Sequence, residues 1–413
     1  MRRQLAVIGI IAVLLSLAAC SGTSSKDKQP VTLTFWTTTP SPETAFFQER
    51  INAFEKEHPN IKVNIAMHEF PFATNEFKTA VLGDQEVDIF RADNTWIPEY
   101  ANLNIIYPLN TLGPRADSSG FVSSALDAAT YQGNIYGFPS VMEVPALLYN
   151  KRILREAGFT RPPQTMDELL KMAKALTGKE RYGLYVTEDS YFSLPYLWAF
   201  GGDMISDQGH IQIASVRSKQ AFEFMLKLRR EGVTQPYDNF NNWHYTMMND
   251  FTEGRSAMMI NGPWAIHDVL KGKEFQNPDN IGIAPIPRGP GGQGSPIGGH
   301  SLVINKYSRH PKESYELIRY LTSTETEILQ SERFKTLPTQ QAAYTDPRLA
   351  SDLLVQGFRA QLDVAKTQPK IPLSSKLYMD FTPNLNAMLF GKESVDEGVR
   401  KIESSWQNLL EMQ

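Results

Sequence analysis

The sequence predicts an α/β protein with two domains, and three observations support this prediction. The chain has 413 residues, of which 41% are hydrophobic and 21% are charged, as in an ordinary globular protein. Its folded part opens with alternating strand and helix patterns, which are typical of a parallel sheet with helices on its faces. At roughly 150 residues per domain, the length favours two domains or three.

The opening elements follow from residue periodicity. Residues 31–36 alternate along the chain and are β-branched or aromatic, which predicts a strand. Ser41 and Pro42 open a helical pattern that reaches Phe54, with Ser41 as the expected N-cap and Pro42 in the first turn. The other elements expected here are strands at 61–67 and 87–90 and a helix at 72–82. Ligands bind outside the carboxyl ends of such strands, where we place segments 36–39, 69–72 and 91–96.

The middle of the chain continues the alternation. Thr165 and Glu168 form a capping-box pattern before an amphipathic run, and a second helical pattern over 216–230 ends before Gly232. The strands expected in this part are at 146–149, 183–186, 257–260 and 281–286. From Pro311 onward the pattern is mostly helical.

The first twenty residues have the pattern of an export signal. Arg2 and Arg3 precede an apolar run over 5–17, which is short for a membrane span of about 20 residues and is typical of a signal peptide. A retained anchor helix is the alternative. Residues 17–20, Leu-Ala-Ala-Cys, resemble the bacterial lipobox, which implies a signal peptide at 1–19 and a lipid on Cys20. Residues 20–30 are then a flexible tether.

Charge and motif analysis exclude several classes of function. Lys and Arg number 41 against 45 Asp and Glu, so the chain has no electrostatic signature of nucleic-acid binding. Cys20 is the only Cys and the seven His lack ligand spacing, so we predict no internal disulfide, no metal and no cofactor. Residues 289–294 match G-x-G-x-x-G, but no helix start follows them, and we predict a loop.

Aromatic residues occur beside polar and acidic residues at the predicted strand ends. These segments are 35–38, 93–96, 142–143, 191–192, 242–245 and 261–264. An aromatic ring can cover the C–H face of a pyranose, while carboxylates and amides accept its hydroxyl protons. The sequence therefore predicts a cleft for a sugar.

The mature chain resembles the extracellular solute-binding proteins of ABC sugar importers, close to the maltose and trehalose group. The segments that carry this resemblance are 33–36, 51–59, 87–93, 136–139, 148–151 and 261–265. It implies the type II periplasmic-binding-protein fold, in which two α/β lobes surround a hinge and a ligand cleft. The expected N-terminal lobe comprises 31–140 and about 290–340, and the C-terminal lobe 141–289 and about 341–413. We expect crossings between the lobes near 138–145 and 284–298, with a third contact in the C-terminal helices.

The same resemblance assigns roles to particular residues. It implies that Asp93 and Glu143 accept sugar hydroxyls and that Trp264 stacks on a sugar ring. Gly299 and His300 stand where relatives place a Gly-Gly-Trp contact, with His in place of Trp. The further candidates for ligand contact are Trp36, Trp96, Tyr191 and Trp243.

The implied function is capture of a disaccharide or oligosaccharide by hinge closure and delivery to the permease subunits of an ABC transporter. The protein is then a non-enzymatic monomer outside the cytoplasm, anchored to the cell membrane through Cys20. One alternative is a secreted glycoside hydrolase that uses Asp93 and Glu143 as its carboxylate pair. Another is a receptor for a non-sugar such as glycerol phosphate, for which Arg91 is the candidate contact, or a polyamine.

Overall fold

The computed structural model describes residues 29–206, 209–236 and 242–411. The predicted signal peptide and the lipidation site Cys20 lie outside the described residues, as does most of the tether. In these described ranges, no helix is long and apolar enough to cross a membrane.

Ten strands and sixteen α-helices are defined within the described ranges. The strands are β1 Val31–Thr37, β2 Ile61–Met67, β3 Ile89–Asp93, β4 Thr130–Tyr131, β5 Asn134–Ile135, β6 Gly137–Glu143, β7 Ala146–Asn150, β8 Met258–Asn261, β9 Ile281–Ala284 and β10 Gly298–Ile304. The first eight helices are α1 Ser41–Glu57, α2 Phe70–Leu82, α3 Ile97–Asn102, α4 Ser123–Ala128, α5 Lys151–Glu156, α6 Met166–Leu176, α7 Leu194–Ala199 and α8 Val216–Arg230. The other eight are α9 Trp243–Thr252, α10 Ile266–Val269, α11 Pro311–Leu321, α12 Thr324–Phe334, α13 Pro347–Ala350, α14 Leu353–Leu362, α15 Leu377–Leu389 and α16 Val395–Glu411.

The first sheet of the fold has five strands in the order β2-β1-β3-β10-β6. Strand β1 pairs in parallel with both β2 and β3, so the parallel arrangement predicted for the opening elements is confirmed. Strand β10 comes from much later in the chain and pairs antiparallel with β3 and β6. The sheet is therefore mixed, because a distant strand is inserted beside the parallel part.

Apolar side chains cover both faces of this sheet. Phe35 and Ile89 belong to a buried cluster on the face covered by α1 and α11. Phe90 and Ala92 belong to a second cluster on the opposite face, with α2 and α3. Because side chains alternate along β3, Arg91 and Asp93 lie on the same face as Ile89.

The second sheet is antiparallel and has three strands in the order β8-β7-β9. The strand predicted at 183–186 is wrong, since only isolated bridges form there, at Tyr182 and Tyr185. The backbone N–H groups of Gly183 and Leu184 instead donate to the carbonyl of Val233. These local bonds replace a regular ladder.

The first helix departs from the expected start by one residue. Helix α1 begins at Ser41, and its N-cap is Pro40, which offers no side-chain hydrogen bond. The carbonyl of Pro40 accepts the N–H groups of Glu43 and Thr44 instead. The prediction of Ser41 as the N-cap was therefore wrong, whereas Thr165 caps α6 through a bond from the N–H of Glu168, as predicted.

The chain passes between the two sheets at two points. It leaves the first sheet at Glu143 and enters the second at Ala146. It returns between Ala284 and Gly298. Glu143 and Gly298 therefore both mark crossing points, and they are paired in the register of β6 and β10.

Candidate functional site

Strand β10 brings three predicted site residues to one edge of the first sheet. Its register places His300 opposite Asp93 on β3, and it places Gly298 opposite Glu143 on β6. These residues are far apart in sequence, and the antiparallel insertion of β10 is what joins them. The site begins where the chain crosses to the second sheet.

Gly299 allows β10 to approach β6 closely at this point. Its φ is +133°, and a β-carbon added there would lie 2.3 Å from the carbonyl oxygen of Val141. Any other residue would meet both a strained backbone conformation and a steric clash. Gly299 is therefore a structural residue, which allows the backbone conformation next to His300.

Asp93 ends β3 and caps the short 3-10 turn that follows it. Its Oδ1 atom accepts hydrogen bonds from the N–H of Thr95 at 2.8 Å and from the hydroxyl of Thr95 at 2.5 Å. Burial raises the pKa of Asp93, while the bonds from Thr95 lower it. The carboxyl is thus held in one orientation at the strand end.

Glu143 is a partly buried carboxyl group that lies between Arg91 and His300. Its side chain is 17% exposed, and its Oε1 lies 4.0 Å from Nη2 of Arg91. Its Oε2 lies 3.5 Å from Nδ1 of His300. Burial raises the pKa of Glu143 to about 7, against the opposing effect of Arg91. The group therefore titrates near neutral pH.

His300 is 6% exposed, and neither ring nitrogen has a hydrogen-bond partner in the described part of the chain. Burial, with the nearby charge of Arg91, holds the pKa of this imidazole well below its usual range. A neutral imidazole offers one donor and one acceptor. Buried polar atoms are normally hydrogen-bonded, so the lack of a partner at these two nitrogens is an unusual feature of the site.

Trp264 and Trp243 pack on one buried ring in the second half of the fold. The Phe192 ring centroid lies 5.5 Å from that of Trp243 and 6.4 Å from that of Trp264. Both indoles are only partly buried. Phe192 thus supports two aromatic surfaces that remain open to a ligand.

Tyr191 lies at the second crossing. A β-carbon added to Gly298 would stand 3.1 Å from its hydroxyl oxygen. Burial raises the pKa of Tyr191 well above its ordinary value, and the charge of Glu143 adds to this effect. Tyr191 is therefore a neutral phenol that reaches the same region as Glu143.

The two remaining tryptophans have different environments. Trp36 is partly buried and stacks on the ring of His68, with centroids 3.8 Å apart. Trp96 is 5% exposed and belongs to a core cluster. Its indole is covered by the ring of Phe70, at a centroid separation of 5.1 Å.

Sequence reasoning did not select Phe70, which is the exposed member of this stack. Phe70 is 46% exposed, and its ring lies 5.9 Å from that of His300. The sequence did place residues 69–72 at a strand end, where ligands bind in such sheets. The position of residues 69–72 at a strand end was therefore the one signal in the sequence that pointed to Phe70. The sequence prediction named Trp96 instead, the residue that Phe70 covers.

The arrangement can accept and donate hydrogen bonds, but it offers little to a metal ion. Within residues 29–206, 209–236 and 242–411, no group of three or more His, Cys, Asp or Glu side chains could hold one. The carboxyl groups of Asp93 and Glu143, the imidazole and the aromatic surfaces instead fit a ligand with many hydroxyls and apolar faces.

Comparisons with known proteins identify the class. Residues 38–328 match the family described as bacterial extracellular solute-binding proteins. The chain is 27% identical over 321 residues to the maltotriose-binding protein of Pyrococcus abyssi, covering 75% of this chain and 67% of the relative. It is 21% identical over 396 residues to the galactooligosaccharide-binding protein of Bacillus subtilis, covering 92% and 91%.

The fold comparison gives the same class. The GacH receptor of Streptomyces glaucescens, solved without ligand and with acarbose, superposes with a TM-score of 0.87 and 30% identity over 93% of this chain and 99% of the receptor. The architecture is thus the type II periplasmic-binding-protein fold with two lobes, as predicted. The chain belongs to the bacterial extracellular solute-binding proteins, in the group that binds sugars or oligosaccharides for ABC transporters.

Proposed function

We propose that this protein captures a disaccharide or oligosaccharide of the maltose or trehalose type and delivers it unchanged to an ABC permease. The observation that carries the proposal is the cluster at the crossing, where two partly buried carboxyl groups, Asp93 and Glu143, adjoin the unpartnered nitrogens of His300. A site built to bond hydroxyls discriminates strongly against ligands that lack them.

The named relatives support a saccharide as the ligand. The relative from Pyrococcus abyssi is a maltotriose-binding protein, and the one from Bacillus subtilis is a galactooligosaccharide-binding protein. The GacH receptor was solved in complex with acarbose. A phosphate ligand would need an available cation, but the Arg91 side chain is only 4% exposed and already lies beside Glu143. A neutral sugar therefore fits the charge of the site better than glycerol phosphate does.

The two crossings between the sheets suggest the means of capture. A saccharide that contacts both lobes binds the closed form more tightly and shifts the population toward it. A micromolar dissociation constant corresponds to a binding free energy of about −8 kcal/mol. The lobes proposed are 31–140 with about 290–340 and 141–289 with about 341–413, and the closed monomer would present both to the permease.

The attachment to the membrane is proposed from the N-terminal sequence. Cleavage before Cys20 and lipidation there would hold the folded body outside the cytoplasm on a tether of residues 20–30. Metabolic labelling with palmitate tests this step. Label should enter the wild-type protein and be absent from Cys20→Ser, and equal labelling of both would contradict it.

Calorimetric titration tests the binding function. The purified chain is titrated with maltose, trehalose, maltotriose, a galactooligosaccharide, glycerol phosphate and spermidine, and each saccharide is afterwards recovered and analysed by chromatography. We expect saturable heat with at least one saccharide, recovered intact. Shortened products would indicate the glycoside hydrolase, and heat with the phosphate or the polyamine alone would contradict the sugar assignment.

A further inference from the structure

Arg91 is a buried cation surrounded by acids directly beneath the candidate site. It lies on β3, the strand between β1 and β10, and it is 4% exposed. Its Nη1 donates a hydrogen bond of 3.1 Å to the hydroxyl of Thr38. Its Nη2 lies 4.0 Å from Oε1 of Glu143. A guanidinium with this little exposure is placed to act on its neighbours more than on a ligand.

Three carboxyl groups converge on this one cation. Glu143 approaches from the crossing, Asp93 lies two residues along the same strand face, and Glu43 comes from the first turn of α1. Glu43 is itself 8% exposed. Burial disfavours the charged form of every one of these acids, while the guanidinium favours it. The charge of each carboxyl therefore depends on Arg91.

Glu143 is the acid whose charge matters most for a hydroxyl ligand. When ionised, a carboxylate offers only acceptor sites, and bonds to an ionised acceptor are stronger than bonds to a neutral one. When protonated, Glu143 loses part of that capacity. Its position beside His300, at the crossing of the two sheets, places it among the groups that would meet the ligand.

We propose that Arg91 is a positioning residue for saccharide recognition, which favours the ionised form of Glu143 without itself touching the ligand. The inference rests on the proposed function. It adds that the strength of Glu143 as a hydrogen-bond acceptor depends on Arg91. Thr38, the residue that follows β1, accepts a hydrogen bond from the guanidinium through its hydroxyl and so helps to hold Arg91 in place.

The ionisable groups around Glu143 define what a pH titration would report. Arg91 and Asp93 face it from β3, Glu43 from α1, His300 from β10 and Tyr191 from the 3-10 turn before α7. His300 stays neutral because its pKa lies well below the usual value, and Tyr191 stays neutral because its pKa lies well above it. Near neutral pH, only carboxyl groups change charge.

The direction of the pH effect follows. The ligand bonds to the ionised form of Glu143, so affinity should rise with pH and level off once that group is fully ionised. Removing the guanidinium raises the pKa of the carboxyl, by about 1–3 units in comparable acid–arginine pairs. The rise in affinity should then move to higher pH. Because wild-type Glu143 has a pKa of about 7 and is half ionised at neutral pH, affinity there should fall up to about fivefold for the first unit and up to about tenfold for each further unit.

The experiment measures the maltotriose dissociation constant as a function of pH by calorimetry. Wild type is compared with Arg91→Met, Arg91→Lys and Thr38→Val. The matched control is Thr32→Val, an exposed position on β1, the strand that Thr38 follows. We expect the midpoint to move to higher pH in Arg91→Met, to move less in Arg91→Lys and Thr38→Val, and to stay in place in Thr32→Val. In a Glu143→Gln background, Arg91→Met should produce no further shift.

An unmoved midpoint in folded Arg91→Met would overturn the inference. If Arg91→Met does not fold, the test rests on Thr38→Val and Arg91→Lys. The inference would be overturned if the midpoint of the pH dependence were unmoved in both of these variants. Failure of the proposed function looks different, because wild type would then bind no saccharide of the panel at any pH.

Discussion

The indole ring of Trp264 lies against its own loop, directly over Gly262. A β-carbon added to Gly262 would stand 2.0 Å from Cζ3 of the ring. Trp264 follows β8 in a short 3-10 turn that begins at Pro263. The missing side chain at Gly262 is therefore what lets the ring fold back and keeps it in one orientation beside Phe192.

We expect Trp264→Ala to weaken saccharide binding by about 1–3 kcal/mol while folding stays intact, because a rigid stacking surface is lost. Calorimetry with the tightest saccharide of the panel measures this loss, and thermal unfolding verifies the fold. Gly262→Ala is the companion variant, since its β-carbon displaces the ring. It should weaken binding in wild type but not in Trp264→Ala. Unchanged affinity in Trp264→Ala would remove this residue from the site.

Phe70 should contribute to binding more than its neighbour Phe72. Phe70 stacks on Trp96 and its ring approaches His300, whereas Phe72 is 63% exposed. We expect Phe70→Ala to lose about 1 kcal/mol of saccharide affinity, as for other aromatic contacts. The matched Phe72→Ala should lose much less. Equal losses, measured by calorimetry under the same conditions, would contradict a specific role for Phe70.

Gly299→Ala should destabilise the protein by about 1–3 kcal/mol, because its φ of +133° and the carbonyl of Val141 both oppose a side chain. Gly178→Ala is the control, since no atom lies within 4 Å of a β-carbon there. Urea unfolding of the two variants gives the comparison. A stability for Gly299→Ala equal to that of Gly178→Ala would show that the backbone at this strand is not constrained as described.

Glu327 should make stability depend on pH. It is 2% exposed, and it accepts bonds from the N–H groups of Thr339 at 2.6 Å and Gln340 at 2.8 Å. The hydroxyl of Thr339 lies 2.5 Å from Glu327 Oε1 and 2.9 Å from the carbonyl oxygen of Pro139. One hydroxyl proton cannot serve both acceptors, so a protonated Glu327 completes the chain of bonds.

Burial raises the pKa of Glu327 from 4.5 to about 8. Between these values the folded state holds a proton that the unfolded state releases, so the free energy of unfolding falls as pH rises through this window. Above about pH 8 this contribution is constant. Urea unfolding across the window should show a decline in wild type that is weaker in Glu327→Gln. Parallel curves for the two proteins would contradict the assignment.

Local periodicity was sufficient to predict the opening strands and helices. The alternation at 31–36 and 61–67 matches β1 and β2, and the helix expected over 216–230 has the observed bounds. These elements are stabilised largely by the faces they bury, which the sequence pattern displays. No regular strand forms at 183–186, because the N–H groups of Gly183 and Leu184 both donate to the carbonyl of Val233 and Tyr185 forms only an isolated bridge.

The site was predictable only in part, for the same reason. Asp93, Glu143 and His300 were selected from their motifs, but the register of β10 that brings them together is set by long-range pairing. The role of Arg91 beside Glu143 depends on the same pairing. A buried guanidinium and an exposed surface arginine look alike in the sequence, since only the packed fold determines which of the two it is.

A crystal structure of the protein grown with the saccharide that binds most tightly tests the binding site most directly. We expect an unbroken sugar between the lobes, with hydroxyls bonded to Asp93 and Glu143 and one ring face on Trp264. A complex in which these residues contact no sugar, or in which the cleft holds a molecule without a pyranose ring, would contradict this expectation.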